Sequence, residues 1–215
     1  MAEVLASVID FVAPIGEPVR KDAPDPIRSA RERSMAAELG YGQPMGGIAQ
    51  TAFVVPDLSA AIERWVANMR AGPFFVLPHF LVPGQTYRGE ESRADISIGM
   101  GFAGHMLIEL IQPLDNEPSV YRETIEERGY GFHHLGIACA DVDADSLAYQ
   151  ARGYHEAFRA AVPTGGEVVY LDNGQGAQWG FLELLPVTPG MDETFTRFWE
   201  ASRDWDGRDP VRSFL

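Results

Sequence analysis

One cysteine (Cys139) and one lysine (Lys21) are all that this 215-residue chain has of either type. A lone cysteine excludes an internal disulfide, and any cage of cysteine ligands for zinc or an iron–sulfur cluster within one chain. A reducing, cytoplasmic setting is the expectation. Positive charge is scarce as well: 17 Lys+Arg stand against 31 Asp+Glu, a formal charge of -14, with a sequence pI near 4.7. That balance repels phosphate backbones and anionic lipid unless a basic patch offsets it locally. Basic residues crowd only between Arg20 and Arg33, where Asp22, Asp25 and Glu32 are interleaved, so neither nucleic acid nor a membrane is expected as a partner. Long apolar runs are missing too. No stretch approaches the ~18 residues of a spanning helix, and the N-terminus meets Asp10 without the basic start of a signal peptide. The expectation is a soluble protein acting on a small molecule.

What is present is an ordinary globular balance, 46% hydrophobic and 22% charged. Pro14, Pro18, Pro24, Pro26 and Pro44 break up residues 1–46, which read as an arm with room for one helix near 29–39. From residue 47 the pattern becomes regular. Residues 48–55 read as a strand, Pro56-Asp57 opens a helix with Asp57 or Ser59 as cap, and 60–69 is an amphipathic run. Further strands are expected at 74–81, 95–101 and 106–112, between Gly- and Pro-rich turns.

Comparing the chain with itself is more informative. Gln50-Thr-Ala-Phe-Val-Val-Pro-Asp matches His134-Leu-Gly-Ile-Ala-Cys-Ala-Asp in strand, acidic turn and helix start, 84 residues on. The same offset lays Trp65 on Tyr149 and Phe74 on Phe158. Leu107-Ile-Glu-Leu-Ile likewise resembles Phe181-Leu-Glu-Leu-Leu, 74 residues on. The chain therefore reads as a duplicated β-α-β-β-β unit, with copies at 47–115 and 131–187. A linking helix spans 116–130 and a helical tail 188–215, where Phe195, Phe198 and Trp199 form an apolar stripe suited to core or dimer packing.

A duplication can bring equivalent residues to one spot around a pseudo-twofold axis. The repeat picks out Gln50, Glu109, His134 and Glu183, each polar within an apolar strand. A carboxylate facing a sheet interior must be paired, protonated or metal-bound, and this donor set suits a divalent ion. Taken singly, each residue has an ordinary reading: a strand Glu faces solvent or an Arg, and a strand His is a satisfied core residue. Four potential ligands at matched positions favour the metal. His133 is expected to point away from His134, because neighbours in a strand face opposite ways. Cys139 falls on the opposite parity from His134 and reads as a buried, inert thiol. His105 is a weaker candidate acid or base, and Phe74, Phe75 and Trp65 read as core.

Ile48-Ala-Gln-Thr-Ala-Phe-Val-Val-Pro-Asp-Leu, Ile108-Glu-Leu-Ile-Gln-Pro-Leu, Gly131-Phe-His-His-Leu-Gly-Ile-Ala and Phe181-Leu-Glu-Leu-Leu resemble the strand signatures of the vicinal oxygen chelate superfamily. That group includes glyoxalase I, methylmalonyl-CoA epimerase, extradiol dioxygenases and bleomycin-resistance proteins. The resemblance covers about 47–187. It implies an α+β fold of two paired βαβββ modules, forming a U-shaped, partly closed mixed sheet around a metal site. Carried over residue by residue, the metal ligands are Gln50, Glu109, His134 and Glu183, an order similar to that of eukaryotic-type glyoxalase I, whereas the epimerases carry His first. The implied cofactor is a divalent ion (zinc, nickel, cobalt, manganese or magnesium). The implied reaction is proton transfer beside a chelated carbonyl (isomerisation, epimerisation or lyase chemistry), with Glu183 as base and Glu109 as the alternative. A binding or resistance protein without turnover is the other class, and a ring-cleaving dioxygenase a third. Superfamily members commonly dimerise, so a homodimer is expected. The aromatic run at 74–81 suggests a mouth suited to an apolar or thioester substrate.

Overall fold

The computed structural model describes residues 38–215. Most of the 1–46 arm and all but the last two residues of the helix expected at 29–39 lie outside the described residues. The elements run β1 (Ile48–Val54), α1 (Leu58–Met69), β2 (Phe74–Phe80), β3 (Thr86–Tyr87), β4 (Glu90–Glu91), β5 (Ile96–Ala103), β6 (Met106–Pro113) and α2 (Val120–Arg128). There follow β7 (Gly131–Cys139), α3 (Val142–Gln150), β8 (His155–Ala161), β9 (Glu167–Asp172), a 3-10 turn (Gly176–Trp179), β10 (Phe181–Pro186), α4 (Pro189–Arg203) and β11 (Val211–Ser213).

The caps explain where the helices start. Asp57 accepts a hydrogen bond from the Ala60 amide at 2.9 Å, and Asp141 accepts one from the Ala144 amide at 3.0 Å. Each carboxylate satisfies an amide that has no partner within its helix, and the two aspartates are equivalent in the repeat. Thr188 caps α4 in the same way, with Pro189 in its first turn.

All eleven strands form one mixed sheet, in the order β11-β2-β5-β6-β1-β7-β10-β9-β8-β3-β4. β1 and β7 run antiparallel at its centre, and each is flanked by a parallel neighbour, β6 on one side and β10 on the other. The register repeats as the chain does: Ala52 pairs with Glu109, and Gly136 with Glu183. These are two βαβββ modules side by side, an α+β fold. α1 covers the outer face of the first, its Leu58 and Ile62 clustering with Phe74, Ile108 and Leu110. Cys139, Val169, Leu171 and Leu184 form the outer cluster of the second, with Val142 and Tyr149 of α3 against it. The inner face carries the main core, where each fully buried Leu or Phe contributes roughly 1.5–3 kcal/mol relative to exposure.

The sheet curls until its two ends share one interior. The loop between β2 and β5 carries the β3–β4 hairpin across to β8, pairing Thr86 with Arg159 and Tyr87 with Phe158. Arg88, in the turn of this hairpin, donates to Glu123 of α2 at 2.6 Å and to Asp172 at the end of β9 at 2.9 Å. At the other end the tail closes over the first module. Phe75 and Phe198 stack at 3.8 Å and 8°, Phe214 meets Phe198 edge-on, and β11 extends the sheet alongside β2. Among the described residues, no helix is long and apolar enough to cross a membrane.

Candidate metal centre

Two β-bulges build the site. Between Ile48 and Gln50 the register against β7 slips so that Ala49 is the extra residue on β1. Between Ala52 and Phe53 it slips so that His133 is the extra residue on β7. A bulge places two residues against one and re-aims the side chains beside it. Ala49 and His133 are equivalent in the repeat, so the kink that precedes Gln50 on one strand also precedes His134 on the other.

Gln50, Glu109, His134 and Glu183 converge, each at most 4% exposed. Gln50 Nε2 lies 2.8 Å from Glu109 Oε2, 3.0 Å from Glu183 Oε2 and 3.0 Å from His134 Nε2. His134 Nε2 is 2.9 Å from Glu183 Oε2 and 3.2 Å from Glu109 Oε2. All four residues singled out by the repeat thus reach one point. Glu109 and the His134 imidazole are both perturbed here. Burial pushes the Glu109 carboxyl up, opposed by its hydrogen bond to His134. Burial would lower the His134 imidazole, but Glu183 and Glu109 outweigh it and push it up to about 9.

The donor set fits a divalent cation. As placed, the Gln50 amide points its nitrogen at the carboxylates and leaves Oε1 buried without a hydrogen-bond partner. Turning the amide over would aim Oε1 at two carboxylate oxygens, which is stable only with a cation between them. The separations of 2.8–3.2 Å also match the ~3.0 Å between ligand atoms set at right angles, each ~2.1 Å from a common ion. One ligand atom from each of Glu109, His134 and Glu183 lies within 4.8 Å of the other two.

His133 departs from the sequence expectation. The bulge turns it inward with His134, and its Nδ1 lies 2.8 Å from His134 Nδ1, with Nε2 facing the Val120 carbonyl at 3.3 Å. Burial and the neighbouring His134 hold its imidazole well below the usual range. The assignment that satisfies every partner has His134 Nδ1–H donating to a neutral His133, whose Nε2–H donates to Val120. This leaves His134 Nε2 directed at the centre.

Glu109 and Glu183 form the floor of an apolar cavity of about 50 Å³. Leu77, Phe80, Met100, Phe158, Leu185 and Phe195 contribute to its walls. Tyr170 and Tyr121 also line it, with burial holding both hydroxyls well above their usual range. Sequence reasoning missed both tyrosines. Tyr170 pairs with Glu183 as Met100 pairs with Glu109, so hairpin register could have found it, whereas nothing in the local pattern of α2 marks Tyr121. His105 lies outside this cluster, with Nδ1 on the Tyr41 carbonyl at 2.9 Å and its ring against Trp199. Cys139 is buried on the outer face, where burial raises its thiol pKa.

The model of the glyoxalase/bleomycin resistance protein/dioxygenase superfamily matches residues 49–170, more than half of the chain. The chain belongs to that superfamily. Among solved structures it is similar in fold to a hypothetical protein, BH1468, from Bacillus halodurans C-125 (TM-score 0.50, 18% identity, 66% of this chain and 94% of that one). It is also similar to methylmalonyl-CoA epimerase from Mycobacterium tuberculosis (TM-score 0.50, 18% identity, 68% and 91%). No curated protein matches it.

Proposed function

We propose that this superfamily member is a divalent-metal-dependent enzyme that moves a proton beside a carbonyl of a small substrate. The observation that carries this reading is the convergence of Gln50, Glu109, His134 and Glu183 within 2.8–3.2 Å contacts on the floor of a cavity reached by both carboxylates. These four residues would hold the metal, with Gln50 through its amide oxygen and His134 through Nε2. A divalent ion bound there supplies a Lewis acid that polarises a carbonyl and its neighbouring oxygen.

The chain's own groups do the rest. Glu183 faces the cavity and is the proton acceptor; Glu109, from the other module, is the second carboxylate of a pseudo-symmetric pair. Burial raises the affinity of Glu109 for a proton, bringing a carboxylate closer to the operating pH at which proton transfer is efficient. One base taking and returning a proton gives isomerisation, and two carboxylates on opposite modules allow epimerisation. The fold shared with a methylmalonyl-CoA epimerase supports proton transfer as the reaction class.

The test is proton exchange. With metal-loaded protein in deuterium oxide, hydroxyketone substrates are expected to gain deuterium at the carbon beside the carbonyl. Glu183→Gln is expected to slow exchange by about 100-fold or more, the usual worth of a positioned base. Exchange at the wild-type rate in both Glu183→Gln and Glu109→Gln would refute the assignment.

A further inference from the structure

We infer that the cavity selects a compact, uncharged and largely apolar substrate, and discriminates against the anionic substrates that neighbouring folds take. The inference rests on the metal-enzyme reading above and concerns what that site admits.

The charge distribution around the cavity carries it. Among the described residues, no arginine, lysine or histidine lines it, while both floor carboxylates do. Apart from these, the polar side chains of the lining are the hydroxyls of Tyr121, Tyr170 and Thr164, which can hydrogen-bond a neutral oxygen but cannot neutralise a charge. The arginines of the adjoining elements are held elsewhere. Arg88 is bound by Glu123 and Asp172, and Arg159 by Asp143, Glu156 and Glu167. Arg197 donates to the Phe214 carbonyl at 2.9 Å and lies over the Phe198 ring. A divalent ion balances the two glutamates and leaves no excess positive charge for a substrate carboxylate. An anion deeper in the cavity would be desolvated without a partner.

Size points the same way. A cavity of about 50 Å³ exceeds the ~10–15 Å³ needed to admit one water only a few-fold, and so suits a small group. Met191 and Phe195 of α4 and Val162, Pro163 and Thr164 of the β8–β9 turn form part of its lining. Neighbouring oxygens on a short apolar skeleton fit this space.

Acetoin and lactate provide a matched pair: each has a hydroxyl next to a carbonyl carbon, and a methyl of one is a carboxylate oxygen in the other. Cobalt(II) is loaded first, and its visible absorption shows whether the four residues hold a metal. Acetoin is then expected to perturb that spectrum at a concentration at least about tenfold lower than lactate, and methylmalonyl-CoA to leave it unchanged. Free cobalt favours the carboxylate, so the reversed order would come from the cavity walls. Failure to bind cobalt would overturn the metal reading and the inference with it. A normal cobalt spectrum with lactate or methylmalonyl-CoA bound as tightly as acetoin, or with no response to acetoin, would overturn the inference alone. Val162→Lys places an ammonium at the half-buried wall of the β8–β9 turn. It is expected to strengthen lactate binding by about tenfold with the cobalt spectrum retained, and an unchanged preference would contradict the charge argument.

Discussion

At the scale of single residues, the centre is a conflict that a cation resolves. Two carboxylates, an imidazole and an amide share a dry space, and the Gln50 oxygen has no partner there. Without metal, the cluster holds on to protons: burial pushes the Glu109 carboxyl up, and the carboxylates raise the His134 pKa to about 9 from an ordinary ~6.5. A pKa raised on folding adds stability that is fully present below the unfolded value and is lost as pH rises through the folded one. The chelated protein is therefore expected to lose on the order of 3 kcal/mol between about pH 6.5 and 9, while a metal-loaded sample stays level. Thermal melts across that window check this, and a chelated protein with a flat profile would count against the protonated His134. The convergence of the four residues was legible in the sequence because the duplication marks their positions twice. His133 was not: alternation along a strand predicts that it points outward, and a bulge cannot be seen from residue types alone.

Among elements, the paired bulges on β1 and β7 and the equivalent caps Asp57 and Asp141 show that the duplication extends to backbone detail. The strands of the first module were readable to within a residue or two from period and caps, since these are local signals. The tail expected to be helical over 188–215, by contrast, is helix only to Arg203 and pairs as a strand at Val211–Ser213, because that pairing with β2 is a long-range contact. The β3–β4 hairpin and its pairing with β8 were not readable either, because the contact joins distant segments through two residues each. Gly136 shows how tightly the central strands are set. A methyl there would stand 2.9 Å from Gln50 Cβ, 2.8 Å from Leu185 Cδ1 and 3.4 Å from Glu183 Oε2. Gly136→Ala must push two of the four ligands away from each other. It is expected to weaken metal binding by about tenfold or more, with the fold retained, since ligand placement rather than ligand identity is disturbed. Calorimetric titration with the metal against wild type measures this, and an unchanged affinity would show that the strands have room to shift.

Across the whole molecule, closure comes from segments outside the repeat. The hairpin ties one module to the edge of the other through Arg88, and α4 with Phe214 roofs the opposite end. Asp172 is nearly buried, with its side chain 2% exposed, so Arg88→Met leaves a carboxylate without its main partner. Removing one member of a fully buried pair costs ~3–5 kcal/mol. Because the Arg88 side chain is 37% exposed and water relieves part of the loss, about 2 kcal/mol is expected here, measurable by urea unfolding. Apolar packing and ion pairs frame the cavity, and the proposed metal centre would give it its chemistry. The decisive measurement is the metal content of purified, divalent-metal-reconstituted protein, beside Glu109→Gln and Glu183→Gln. One equivalent per chain in the wild type, sharply reduced in both variants that remain folded, is the expected result. Wild-type protein that stays metal-free, or folded variants that keep a full equivalent, would contradict the assignment of Gln50, Glu109, His134 and Glu183 as a metal centre.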